Sequence, residues 1–225
     1  CRGRGCERCG WKGKLYDESI EELVGTPILK KAMGVSIKFH AAGREDIDAR
    51  MLGSGRPFVV EVREPKVRSL NLRELEKEIN REAQGRVEVV GLRFSSRAEV
   101  RKLKAMGDTP KTYRALVRFE RDVSEEELRM VEKALSGAKV RQQTPTRVLH
   151  RRADLVREKS IYEVRIKKVS PNTAELIVRC QGGLYVKELV DGDEGRTRPS
   201  VSEILGTKAS CLELDVLEVG GEGGG

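Results

Sequence analysis

Three carboxylates, Glu45, Asp46 and Asp48, crowd the segment Gly43-Arg44-Glu45-Asp46-Ile47-Asp48-Ala49-Arg50, with an arginine on either side. Gly43, Gly53 and Gly55 bound the loop that carries them. Glycine lets a main chain approach a substrate closely, and reactive residues are disproportionately placed on such loops. An arginine beside a carboxylate favours the ionised form, the form that attacks as a nucleophile or accepts a proton. Charge pattern alone favours a plainer alternative, a solvated turn laced with local salt bridges. A third alternative is a Mg²⁺ site, because clustered carboxylates bind that ion.

A second concentration of chemistry lies at 141–168, RQQTPTRVLHRRADLVREKSIYEVRIKK. Nine Lys/Arg against Asp154, Glu158 and Glu163 leave six of the chain's eight net positive charges in one-eighth of its length. Such concentration is the electrostatic footprint of phosphate contacts. Arg147, Arg151, Arg152 and Arg157 are the candidate RNA-binding residues, Arg151 and Arg152 pointing to opposite faces of an expected strand. The alternative is a basic but solvated hairpin. His150 reads as a phosphate contact or filler. With His40 the only other histidine and no serine or cysteine near either in sequence, a His-dependent nucleophilic triad is disfavoured.

Cys6-Glu7-Arg8-Cys9 is a C-x2-C pair, and Cys1 precedes it. A C-x2-C turn points two thiolates at one Zn²⁺, and a structural site needs four ligands. Cys1, Cys6 and Cys9 therefore make an incomplete candidate zinc site. Cys180 and Cys211 stand alone in apolar strand-like segments and read as core residues. Five cysteines with no disulfide framework fit a reducing cytoplasm.

The elements that must hold these residues are readable from periodicity. A helix is expected over 16–33, kinked or restarted near Pro27. Strands are expected at 36–40 and 58–62, around a polar loop at 41–57. Asn71 and Glu74 open a helix over 72–83, and Ser124 caps another over 125–136. A short helix is expected at 97–106 and a further one near 184–190. Further strands are expected at 86–95, 112–119, 138–149, 161–169, 173–180 and 210–218, with a Ser-Pro-Asn-Thr hairpin turn at 170–173. This mixture predicts an α+β fold, a large mostly antiparallel sheet flanked by helices.

The 225 residues suffice for a sizeable core. No apolar run reaches the length of a membrane span, so no membrane partner is expected. The first residues form no secretion signal. The chain opens on cysteine, and we take it as a piece of a longer protein, with GGEGGG as a flexible tail.

Gly-Arg-Glu-Asp resembles the pseudouridine synthase motif in which an arginine stands two residues before the catalytic aspartate. The longer string GREDIDARMLGSGRPF resembles the archaeal family that modifies uridines 54 and 55 of tRNA. TPTRVLHRRADLVR is also similar to that family. The resemblance implies a pseudouridine synthase fold and Asp46 as nucleophile, with Asp48 the alternative register. It places Tyr113, in Lys-Thr-Tyr-Arg-Ala, as the ring that stacks on the target base. It matches Leu184-Tyr185-Val186-Lys187-Glu188-Leu189 to the motif whose basic residue, here Lys187, pairs with the nucleophile. Val186 and Leu214 then line the pocket, and Arg44 and Arg50 contact substrate. It implies catalysis with no cofactor, tRNA as partner, no protein partner required, and a THUMP domain upstream of this piece. Residues 1–15 are then the remnant of an upstream zinc or RNA-binding module, 16–218 the catalytic domain and 219–225 the tail. Two rivals are a noncatalytic RNA-binding module and a metal-dependent nuclease using Glu45, Asp46 and Asp48.

Overall fold

The computed structural model describes residues 4–14, 16, 18–43, 45–46 and 48–220. Two compact units make up the chain, one from Cys1–His40 and Phe58–Arg101, the other from Ala41–Pro57 and Lys102–Gly225.

In the first unit, β1 (Ser36–Ala41) and β3 (Phe58–Arg63) form a two-stranded sheet beside α1 (Ile20–Ala32) and α2 (Leu72–Ala83). Val24 and Ile28 of α1 pack with Leu75 and Ile79 of α2, and the rings of Phe39 and Phe58 stack 5.2 Å apart. Ser19 caps α1 by accepting the Glu22 N–H, and α1 runs unbroken through a buried Pro27. Asn71 caps α2 in the same way. The strand expected at 86–95 is absent, because side chains take the place of a neighbouring strand. Asn80 bonds both the N–H and the carbonyl of Val89, and Glu76 accepts the N–H of Leu92. Val89 is thereby buried although it belongs to no sheet.

The second unit is built on seven strands in the order β2-β9-β4-β7-β6-β5-β8. These are β2 (Ala49–Met51), β4 (Lys111–Phe119), β5 (Lys139–Gln143), β6 (Val156–Ser170), β7 (Thr173–Cys180), β8 (Thr197–Arg198) and β9 (Ala209–Val219). Only β2 with β9 is parallel, so the sheet is mostly antiparallel as expected. Strict alternation buries Lys111, Tyr113, Ala115, Val117 and Phe119 of β4 and Ala174, Leu176, Val178 and Cys180 of β7, as the two-residue period of a strand requires. Helices α4 (Glu125–Leu135), α5 (Val186–Asp191) and α6 (Val201–Leu205) supply the other buried faces, and α3 (Arg97–Ala105) carries the chain across the unit boundary. The strand expected over 138–149 stops at Gln143. Pro145 there begins a 3-10 turn, Thr146–Arg151, so Arg151 and Arg152 do not alternate across a strand.

α4 opens with a full capping box between Ser124 and Glu127. The Arg121 guanidinium bonds Glu127 at 2.6 Å and, with the Ser124 N–H, pulls its carboxyl from 4.5 down to about 2. A depressed carboxyl adds stability above its ordinary pKa and loses it as pH falls through the folded value. Glu127→Gln keeps the box and removes the charge. Its thermal midpoint should lie below the parent's at neutral pH, and the two melting curves should converge between pH 4.5 and about 2.

Candidate active site

The carboxylate loop belongs to the second unit and is laid along its sheet edge. Ala49, Arg50 and Met51 pair with Leu214, Asp215 and Val216 of β9. Leu52 N–H reaches Val216 O, and Ser54 N–H reaches Leu217 O. Gly53 makes this approach possible: its φ is +75°, and a Cβ there would lie 2.2 Å from Leu217 O. Arg50 holds the edge with ion pairs to Asp215 at 2.6 Å and Glu213 at 3.0 Å, and Arg114 shares the fully buried Asp215 at 2.9 Å. Arg50, expected at the substrate, is thus engaged with the sheet.

The three carboxylates diverge onto different cations. Glu45 takes Arg56 and Lys111. Asp48, 63% exposed, takes Lys187, whose hydrogen bond holds the Asp48 carboxyl below its usual range. Asp46, 23% exposed, is held at two points by Arg147, with Nη1 at 2.8 Å and Nη2 at 2.7 Å. Lys187, expected on Asp46, lies instead two residues along the loop. A divalent-metal site needs carboxylates converging on one point, which this arrangement does not provide.

Arg147 is carried by the 3-10 turn after Pro145 and reaches two ways. Its Nε donates to Glu188 at 2.6 Å. Glu188, on α5, is 3% exposed. Burial pushes the Glu188 carboxyl up, and the Arg147 hydrogen bond works against that shift. On Arg147, burial opposes the charge, but the bonds to Glu188 and Asp46 outweigh it and raise the guanidinium further. One planar guanidinium thus bridges a buried carboxylate and the half-buried Asp46, a use of the fork geometry that lysine cannot reproduce.

Tyr113 is 2% exposed, its hydroxyl 3.3 and 3.4 Å from the two Glu45 oxygens. Burial, then the Glu45 charge, lifts its phenol well above the ordinary range. Val186 and Leu214 are buried, at the start of α5 and on β9. Arg151 and Arg152 are exposed with no ion pair among the described residues, and Arg157 donates to Thr144 Oγ1 at 3.1 Å. Arg44 and Cys1 lie outside the described residues. The sequence motifs give no role to Glu188, Lys111 or Arg56. Glu188 and Lys111 stand inside strings already singled out, LYVKEL and KTYRA, and their burial is the signal the strings lack.

In the first unit, Cys6 and Cys9 bring their sulfurs within 3.8 Å on a 3-10 turn closed by left-handed Gly10. The N–H groups of Cys6 and Gly13 point at Cys9 Sγ, both at 3.2 Å. Two thiols so directed fit half of a tetrahedral zinc set. Among the described residues, no group of three or more His, Cys, Asp or Glu is placed to hold a metal ion, and no helix is long and apolar enough to cross a membrane.

A family model described as Pus10, C-terminal, matches residues 4–220. The chain is 52% identical over 222 residues to tRNA pseudouridine synthase Pus10 of Methanocaldococcus jannaschii, covering 97% of this chain and 48% of the relative. For the protein of the same name from Korarchaeum cryptofilum the identity is 55% over 220 residues, covering 97% and 59%. For that of Methanopyrus kandleri it is 49% over 225 residues, covering 100% and 52%. The chain therefore spans about half the length of the curated relatives it matches. Its fold is similar to a chain in the crystal structure of a Cbf5-Nop10-Gar1 complex, with TM-score 0.56, 18% identity, and coverage of 88% of this chain and 44% of that one. A match that spans nearly every described residue, from the cysteine turn to the last strand, makes this chain a member of the Pus10 C-terminal family.

Proposed function

We propose that this chain is the catalytic portion of a tRNA pseudouridine synthase, converting uridine to pseudouridine at positions 54 and 55 of the TΨC arm with Asp46 as nucleophile. The observation that carries the reading is the two-point Arg147 grip on a carboxylate that still meets solvent. The relatives' name, tRNA pseudouridine synthase, supports the same reaction.

In this reading the target uridine leaves the loop stack, at a cost of a few kcal/mol. Asp46 attacks the anomeric carbon, or takes a ribose proton to give a glycal. The bond to N1 breaks, with the electron pair leaving on the uracil. The base turns and C5 bonds the anomeric carbon as the Asp46 ester bond to it breaks or, on the glycal route, as Asp46 returns the proton to the ribose. C5 then loses its proton and N1 gains one, leaving Asp46 a carboxylate again. The reaction is an isomerisation, so it balances without oxidant or cofactor. Arg147 takes the role first expected of Lys187, orienting Asp46, while Lys187 steadies the loop through Asp48. Tyr113, 2% exposed, offers its ring to the base once that burial is relieved. Val186 and Leu214 line the pocket. Arg151, Arg152 and Arg157 reach tRNA phosphates, and Arg44, two residues before Asp46, contacts the substrate. The enzyme works in the cytoplasm without a protein partner, and the Cys6–Cys9 turn carries a structural zinc whose other ligands, Cys1 among them, lie outside the described residues.

Unmodified tRNA labelled with tritium at uridine C5 tests the reading. The full chain should release tritium, leave the RNA chain intact and tolerate EDTA. Binding without tritium release would reduce the protein to an RNA-binding module, and cleavage abolished by EDTA would make it a nuclease.

A further inference from the structure

We infer that Glu45 is a positioning residue, its carboxylate clamping the Asp46 loop onto β4 and holding the Tyr113 hydroxyl in the same grip. The inference rests on the reading of Asp46 as nucleophile. Glu45 and Asp46 are adjacent, yet their side chains take separate sets of partners. Glu45 Oε1 accepts from Arg56 Nη2 at 2.6 Å and from Lys111 Nζ at 2.7 Å. Lys111 is 4% exposed and stands two residues before Tyr113 on β4, so both side chains leave the same face of the sheet. An ammonium buried there needs a carboxylate beside it, and among the described residues Glu45 supplies it.

Gly43 adds a second point of contact. Its φ is +84°, and a Cβ at that position would lie 2.8 Å from Lys111 Nζ. The loop therefore rests on the Lys111 ammonium at both 43 and 45, while Asp46 reaches to Arg147 and Asp48 to Lys187. Glu45 is the fastening on the β4 side. Its loss would let Asp46 shift relative to Tyr113, and a misplacement of about 1 Å costs on the order of 10²-fold in rate.

The test compares Glu45→Ala, the double variant Glu45→Ala/Lys111→Met, and Asp46→Asn in the full chain. Single-turnover tritium release at saturating tRNA, tRNA Kd and thermal midpoint are read for each. Glu45→Ala should slow turnover about 30- to 100-fold while Kd stays within about threefold, and its midpoint should fall because Lys111 and Arg56 lose their carboxylate. The double variant should recover the midpoint but not the rate. Recovery of both would overturn the inference, since Glu45 would then only neutralise Lys111, and so would parental turnover in Glu45→Ala. Parental turnover in Asp46→Asn would instead sink the underlying reading of the nucleophile and the positioning role with it.

Discussion

Asp46→Asn should slow tritium release by roughly 10⁴-fold or more, the scale of losing a nucleophile, with tRNA affinity changed by less than about tenfold. Asparagine keeps the size of aspartate and leaves Arg147 one oxygen to bond. What it removes is the negative charge that attacks in the proposed mechanism. Binding should hardly suffer, because phosphate contacts dominate affinity for nucleic acid and a lost carboxylate removes no such contact. Asp48→Asn is the matched control. Asp48 is 63% exposed and paired with Lys187, so its loss should slow turnover by no more than about tenfold, in line with the modest worth of exposed ion pairs. If Asp48→Asn were the dead variant and Asp46→Asn the active one, the nucleophile would sit two residues later than assigned.

Arg147→Met carries the second large effect, and it strikes rate and stability together. Asp46 loses both hydrogen bonds that orient it, and turnover should fall by about 10²- to 10³-fold. Glu188, almost wholly buried, loses its guanidinium. Because Arg147 is about one-third exposed, the cost should fall below the roughly 3–5 kcal/mol of breaking a fully buried pair, readable as a lower denaturant midpoint. The pH dependence has a definite sign. Burial already raises the Glu188 carboxyl, so the folded state holds its proton to higher pH than the unfolded chain does. Stability from that proton is present at low pH and is lost as pH rises through the raised value. Without Arg147 the stability deficit should therefore grow on going from the ordinary carboxyl range upward. Arg147→Met/Glu188→Gln should recover stability and stay slow. A parental rate in Arg147→Met would remove Arg147 from the machinery.

Local signals in the sequence reached the caps and the alternating strands. Asn71 and Ser124 begin their helices as side-chain caps, and β4 and β7 bury every second residue. Patterns that depend on distant partners did not show. Segment 86–95 has strand-like composition, but Asn80 and Glu76 satisfy its backbone. β2 has three residues and exists because β9 lies beside it. The unit boundaries fall at the ends of β1 and β3 and inside α3, and the Gly/Pro-rich stretch 53–57 at one of them reads in a linear pattern as a loop within one domain. At the site, the motifs singled out Asp46, Tyr113 and Lys187. The pairing escaped them, because Arg147 and Asp46 are 101 residues apart and Arg147 looked like one more member of a basic run. Glu188 on a short helix reads as surface until its burial is known.

Mapping pseudouridine at single-nucleotide resolution on unmodified tRNA, after incubation with the full chain or with Asp46→Asn, tests the central assignment most directly. Pseudouridine should form at positions 54 and 55 with the parent and at neither with the variant, although both bind the tRNA. An undiminished map from Asp46→Asn, or an unmodified tRNA from a parent that binds it, would contradict the account.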